Sequence, residues 1–346
     1  MKDITIVICS YNYERFLREA IDSALAQEPD RTVVVVIDDG STDGSRAIIE
    51  SYGDRIVSVI KENGGQASAY NLGLEMADTP YLLYLDSDDV LYEGAVAQVL
   101  RAFESGNYAK VQFRLSVIDG EGVRTGARVP NSTPPAGCGE LLRRGWLYPS
   151  PPASGNAYRV SALRQILPVP KAKGRGIAAD FFAIYGIALL GDVMAIEEEL
   201  GGYRVHRKES GAAPATNREV GLSIANCQDI SEVVRAFPHR WAALRQLVSE
   251  RLGEELPEHA IDFSYEKAHL CMRVYDATLW KRWQWILCES RQYFRSIVAN
   301  PFWTVGKKVS AIALTLVCLV PSRRISDQAV LYIANPLARG AQGARS

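Results

Sequence analysis

The 346-residue sequence is short of several things that would narrow its class. Its six cysteines (Cys9, Cys138, Cys227, Cys271, Cys288, Cys318) are scattered, with no C-x-x-C pair. That excludes an obvious disulfide framework or cysteine zinc site and suits reduced thiols. Charge of one sign is also missing. Basic and acidic residues nearly cancel at a net charge of -1, so nothing in the overall balance points to nucleic acid. Neither a G-x-G-x-x-G turn nor a P-loop lysine motif follows the first apolar run, which argues against the common dinucleotide and nucleotide-triphosphate loops. No fixed-period repeat or low-complexity segment is present. The most apolar stretch, Val309 to Val320, stops at Pro321. As a helix it would reach roughly 18 Å against about 30 Å of hydrocarbon, so a membrane span is not expected. Met1-Lys2-Asp3-Ile4 leads straight into a strand, and no signal peptide is expected there.

What is present is ordinary globular material, 47% hydrophobic and 23% charged, long enough for one large or two ordinary domains. Ile4 to Cys9 and Thr32 to Ile37 are near-continuous β-branched runs, the signature of strands covered on both faces. A helical stripe over Glu14 to Ala26 (Phe16, Leu17, Ala20, Ile21, Ala24, Leu25) lies between them. A third strand is expected at Ile56 to Ile60, a helix at Gln66 to Ala77, and a fourth strand at Tyr81 to Leu85. This alternation reads as βαβ units in an α/β fold with a mostly parallel, doubly wound sheet flanked by helices. Ligands of such sheets sit beyond the carboxyl ends of the strands. Ser10-Tyr11-Asn12-Tyr13, Asp38-Asp39 and Asp86-Ser87-Asp88-Asp89 all fall at such ends.

The last of these is the most informative. A strand that stops at three carboxylates within four residues carries like charges whose desolvation needs an offset. A hard divalent cation, Mg²⁺ or Mn²⁺, meets that need and retains positions for phosphate oxygens. Alone, the pattern reads better as a strand end followed by a solvated acidic turn.

Further along, Tyr108 to Ile118 is strand-like and Arg124 to Gly139 reads as a loop facing substrate. Lys171 to Gly176 is a basic turn, Ala178 to Gly191 is helical, and Val193 to Ile196 and Leu200 to His206 are two short strands. From about Ser210 the chain favours helix, through Glu219 to Ala236, Arg240 to Arg251 and Ile261 to Trp280.

Six segments, TIVICSYNYERFLREAIDSALAQ, VVVVIDDGSTDGS, ENGGQASAYNLGLEMADTPYLLYLDSDD, SGNAYRVSAL, AADFF and LGGYRVHRKESG, then occur in one order. Together they resemble family 2 glycosyltransferases of the GT-A fold over roughly residues 1 to 212, and residues 213–346 form a helical region outside the resemblance. The resemblance implies metal-dependent, inverting transfer of a sugar from a nucleoside diphosphate to an acceptor hydroxyl of a glycan or lipid-linked molecule. It implies Asp180 as the base, Asp88 on the metal, and Asp86 on ribose or metal. Asp39 would meet the nucleobase, with uracil favoured because a carboxylate accepts from a base N–H. Ser10, Tyr11, Asn12 and Asn71 would line the nucleotide, and His206 would lie near metal or diphosphate. Asn156 and Arg204 are weaker candidates for the sugar or acceptor, and Asp89 either braces the site or caps the next helix. Relatives carry Glu-Asp where this chain has Ala179-Asp180, which leaves the base in place. The competing readings are another nucleotide-sugar enzyme and an idle nucleotide-sugar-binding scaffold. The expected location is cytoplasmic. Lys307-Lys308 and Arg323-Arg324 flank the apolar run as they would an interfacial helix at the inner face of the membrane. A helical bundle that closes over the sheet or forms a homo-oligomer explains the same residues.

Overall fold

The computed structural model describes residues 2–169, 178–206, 230–275 and 277–334. Two compact units are present: Met1–Arg144 with Tyr148–Arg204 and Ala242–Pro257, and Gly145–Leu147 with Val205–Trp241 and Glu258–Ser346. The expected boundary at 212/213 and the basic turn Lys171 to Gly176 lie outside the described residues.

Among the described residues the first unit holds a nine-stranded sheet. Its strands are β1 (Ile4–Ser10), β2 (Thr32–Asp38), β3 (Val57–Ile60), β4 (Tyr81–Asp86), β5 (Val90–Leu91), β6 (Tyr108–Ile118), β7 (Arg124–Val129), β8 (Asn156–Arg159) and β9 (Asp192–Arg204). They run in the order β3-β2-β1-β4-β8-β6-β9-β5, with β7 beside β6. The first four are parallel, as the βαβ reading requires. Beyond β4 the sheet is mixed: β8 is antiparallel to both β4 and β6, β9 is parallel to β6, and β5 is antiparallel to β9.

Burial on both faces explains why β1 reads as an unbroken apolar run. Ile4, Ile6 and Ile8 join the core that also takes Leu17, Ala20, Ile21 and Ala24 of helix Glu14–Leu25. Burying Leu17 and Ile21 contributes roughly 1.5–3 kcal/mol each. On the other face, helix Gln66–Glu75 lies so close that a Cβ on Gly73 would stand 2.6 Å from Val7 Cγ1. Tyr70 of that helix stacks on Tyr84 at 3.9 Å and accepts a hydrogen bond from its hydroxyl through the backbone carbonyl.

Two segments differ from the sequence reading. Arg124–Val129, expected as loop, is an edge strand whose alternation is hidden because most of it faces solvent. Asp192–Arg204, expected as two short strands, is one strand whose register with β6 shifts near Arg114 and steps over Glu197 and Glu198. Such bulges break the period that marks a strand in sequence.

In the second unit, helices Phe263–Val274, Leu279–Gln284, Arg291–Val298, Val305–Val317 and Arg323–Ala334 surround a core of Cys271, Val274, Trp285, Tyr293, Ile297, Cys318 and Val330. Buried Arg282 is paired with Asp327 at 2.8 Å, and Tyr293 shares a hydrogen bond with Thr315.

Gly73→Ala should destabilise the first unit by about 1–2 kcal/mol, because overpacking against Val7 outweighs the gain in helix propensity. A fall in the urea midpoint with unchanged slope checks this.

Candidate active site

Register brings the polar strand ends level. Ser10 pairs with Asp38, and Cys9 pairs with both Ile37 and Asp86, so the ends of β2, β1 and β4 open on one edge. Ser10 is buried, and its hydroxyl has no hydrogen-bond partner among the described residues.

The turn after β2 is built by its own side chains. Asp38 accepts from the Ser41 backbone N–H at 3.1 Å and from the Ser41 hydroxyl. Gly40 has φ +79°, and a Cβ there would meet Asn63 N at 2.8 Å, so only glycine lets the two loops approach. Asp39 is buried; its Oδ1 takes the Lys61 ammonium and the Gly64 N–H at 3.0 Å. Oδ2 receives no hydrogen bond among the described residues. Asn12, itself at φ 58°, ties the β1 loop to this turn: its Oδ1 accepts from Thr42 N at 2.8 Å, and its N–H donates to Ser41 Oγ at 2.9 Å. Asp43 accepts from the first N–H groups of two helices, Glu14 and Ser45, each at 3.0 Å. Tyr11 projects into solvent beside this edge.

The acidic turn after β4 is held from behind. Ser154 Oγ accepts from Asp86 N at 3.0 Å and donates to Asp89 Oδ2 at 2.6 Å. Asp89 is fully buried, and its Oδ1 accepts from Arg204 N at 2.8 Å. It braces the turn; Gly94, not Asp89, is the cap residue of the following helix. Arg204, 1% exposed, was expected near sugar, acceptor or phosphate, but its guanidinium is committed to protein. It donates to the carbonyls of Asp88 (2.7 Å), Asp119 (3.3 Å) and Gly120 (3.4 Å) and to the Glu19 carboxylate (2.6 Å). Phe16 stacks beneath it at 4.8 Å.

Asp180 lies in the first turn of helix Ala179–Gly186, whose N-terminus is fixed by Gln66 accepting from Ala179 N at 3.3 Å. Its charge reaches the acidic turn. Burial first, then Asp88 and Asp180, push the Asp86 carboxyl up to about 8. Burial, then Asp88 and Asp86, raise Asp89 well above the carboxylate range. Burial followed by Asp88, Asp86 and Asp89 pushes the Tyr13 phenol up to about 12, which places Tyr13 against the same field.

Two other candidates are occupied by the protein itself. Asn71 exchanges both amide hydrogen bonds with the Val169 backbone, at 2.9 and 2.8 Å. Buried Asn156 donates to the carbonyls of Pro151, Pro152 and Ala153 and accepts from Ser150 Oγ at 3.1 Å. His206 follows β9 and belongs to the second unit. Tyr13, Lys61, Ser154 and Glu19 were not singled out by sequence reasoning. Only Tyr13, inside the first polar cluster, had a local signal.

Among the described residues no three His, Cys, Asp or Glu side chains form a set that could hold a metal ion. Asp86 and Asp88 nevertheless fit a cation shared with a phosphate-bearing ligand, because both are hard oxygen donors and the Asp88 charge raises the Asp86 carboxyl, a repulsion that a cation would relieve.

This mixed sheet with its flanking helices is GT-A-like. The model of "Glycosyl transferase family 2" matches residues 5–167. An uncharacterized glycosyltransferase of Nostoc sp. is 32% identical over 243 residues, covering 68% of this chain and 75% of that protein. The chain therefore belongs to glycosyltransferase family 2 and is a glycosyltransferase. The teichoic acid poly(glycerol phosphate) polymerase of Staphylococcus epidermidis is 33% identical over 110 residues, 30% of this chain and 15% of that one. The crystal structure of S. aureus TarS 1-349 in complex with UDP-GlcNAc superposes with TM-score 0.51 at 17% identity, over 98% of this chain and 92% of that chain.

With its folded-state pKa raised, Asp86 favours folding least once pH exceeds that value. Its contribution to stability falls as pH rises from about 4 toward 8. Asp86→Asn should therefore raise the melting temperature at pH 8 relative to the unsubstituted chain, and change it less at pH 5. Arg204→Met should cost roughly 3 kcal/mol or more in denaturant unfolding, since it strands several buried acceptors.

Proposed function

We propose that the chain transfers a sugar from a nucleoside diphosphate, with UDP favoured, to an acceptor hydroxyl in an envelope polysaccharide or glycolipid, with inversion at the anomeric carbon. The observation that supports it most is the meeting of Asp86, Asp88 and Asp180 in one electrostatic field at the level ends of β1, β2 and β4. Asp39 would bind the nucleobase through Oδ2 while Lys61 and the Gly64 N–H hold its Oδ1. Ser10, with a buried hydroxyl lacking a partner, and exposed Tyr11 would line the nucleoside. Asn12 and Asn71 would act by positioning the loops that form the pocket wall. Asn156 would likewise support the loop before β8.

Asp86 and Asp88 would hold Mn²⁺ or Mg²⁺ together with the diphosphate; when bound, the cation supplies charge stabilisation to the leaving group. Asp180 would take the proton from the acceptor hydroxyl as its oxygen bonds to the anomeric carbon, and the bond to the diphosphate breaks on the opposite face. The helix fixes its backbone, and its Oδ1 accepts from Phe181 N–H at 2.9 Å. No role is assigned to His206. The UDP-GlcNAc complex of TarS and the teichoic acid polymerase favour a uridine donor and an envelope acceptor.

Release of UDP from a panel of UDP-sugars with Mn²⁺ tests this reading. Asp180→Asn should lower kcat by about 10²–10⁴ with UDP affinity retained. Asp39→Ala should weaken UDP binding by about tenfold or more, the worth of one hydrogen bond to a charged group. Full transfer by Asp180→Asn would remove the assigned base.

A further inference from the structure

We propose that the second unit docks peripherally on an anionic lipid bilayer through an apolar face carried by residues 280–332. Helix Val305–Val317 is apolar on both sides. One side, with Thr315 and the adjoining Cys318, is buried in the unit's core. The other presents Val305 (77% exposed), Val309 (60%) and Leu316 (47%), and Val320 continues the line past the helix end. Offsets of 4, 11 and 15 residues put these on one helical stripe. A second stripe, Trp280 (74%), Trp283 and Leu287 (69%), follows i, i+3, i+7 spacing. The two meet where Trp283 Nε1–H donates to the Leu319 carbonyl at 2.9 Å. Beside them a groove of about 430 Å³ is lined by Leu314, Val317, Ile325, Ala329, Leu331 and Tyr332.

Length decides the mode of contact. Thirteen residues make ~20 Å of helix, short of the ~30 Å hydrocarbon, and no helix among the described residues is long and apolar enough to cross a membrane. A helix of this kind lies in the interface, where tryptophan is also favoured.

Charge decides the occupant. Residues 277–334 carry eight Lys and Arg against two acids, Glu289 and Asp327, although the whole chain is at -1. Asp327 is already paired with buried Arg282. An anionic headgroup layer complements the excess, with each basic side chain near the surface adding to the attraction. A second copy of the same face would set like charges against one another. Residues 335–346 offer one large apolar side chain, Leu337, against a surface of many.

Flotation of the full chain with vesicles of phosphatidylcholine and phosphatidylserine, against phosphatidylcholine alone, tests this without using the transfer reaction. Binding should require phosphatidylserine and weaken with salt. Val309→Asp with Leu316→Asp should reduce it by about tenfold or more, leaving UDP affinity unchanged. Trp280→Ser with Leu287→Ser should do the same and stands in if the first pair fails to fold. Absence of vesicle binding, or binding unaltered in both variants, overturns the proposal. So does a dimer in light scattering that Val309→Asp with Leu316→Asp converts to monomer, which makes the face a subunit contact.

Discussion

Carboxylates crowded at the end of a buried strand repel one another and resist desolvation, and much of the first unit is arranged around that cost. The turn Asp86 to Asp89 is kept in place by neutral and cationic donors that approach from the protein side. Ser154 bridges Asp86 N to the Asp89 carboxylate, while Arg204 takes the Asp88 carbonyl and offers its own N–H to Asp89. Arg204 in turn is anchored by Glu19 and the carbonyls of Asp119 and Gly120. The guanidinium thus fixes the backbone of the turn. Burial, then the charges of Asp88 and Asp180, together push the Asp86 carboxyl well above the usual carboxylate range.

The nucleotide side follows a different logic. Asp39 is supplied with Lys61 and the Gly64 N–H, so its charge is met on one oxygen and its orientation is set. The loops that bear Ser10, Asn12 and Asp39 are stitched together by Asn12, Ser41, Asp43 and Glu14, whose hydrogen bonds close helix ends and turns at once. A rigid pocket wall costs less to organise at binding than a loose one. In the proposed function, such a wall would meet the base of the nucleoside diphosphate and the acids its cation-bound phosphates.

Legibility in the sequence tracked how local each cause was. The β-branched runs of β1 and β2, the apolar aromatic run of β4, the stripe of helix Glu14–Leu25 and the acids at the strand ends were readable because each depends on neighbours a few residues away. The edge strand Arg124–Val129 and the bulged Asp192–Arg204 were not, since solvent exposure and register shifts erase the period. Arg204, Asn71 and Asn156, which the resemblance placed at the ligand, hydrogen-bond to protein groups. Asn71 and Arg204 find their partners on distant segments, so nothing adjacent in sequence announces the pairing, whereas Asn156 bonds within its own loop, Ser150 to Ala153.

By itself, then, the sequence determined the strand and helix identities of the first half and the family to which the chain belongs. It also determined which carboxylates stand at strand ends, because chain periodicity and chemistry are local. Only tertiary structure decided that the sheet turns mixed beyond β4 and that Asp180 shares a field with Asp86. The same holds for Arg204, Ser154 and Asp89, which brace the turn. Burial and long-range approach set those outcomes, and both arise only when remote segments are packed against one another.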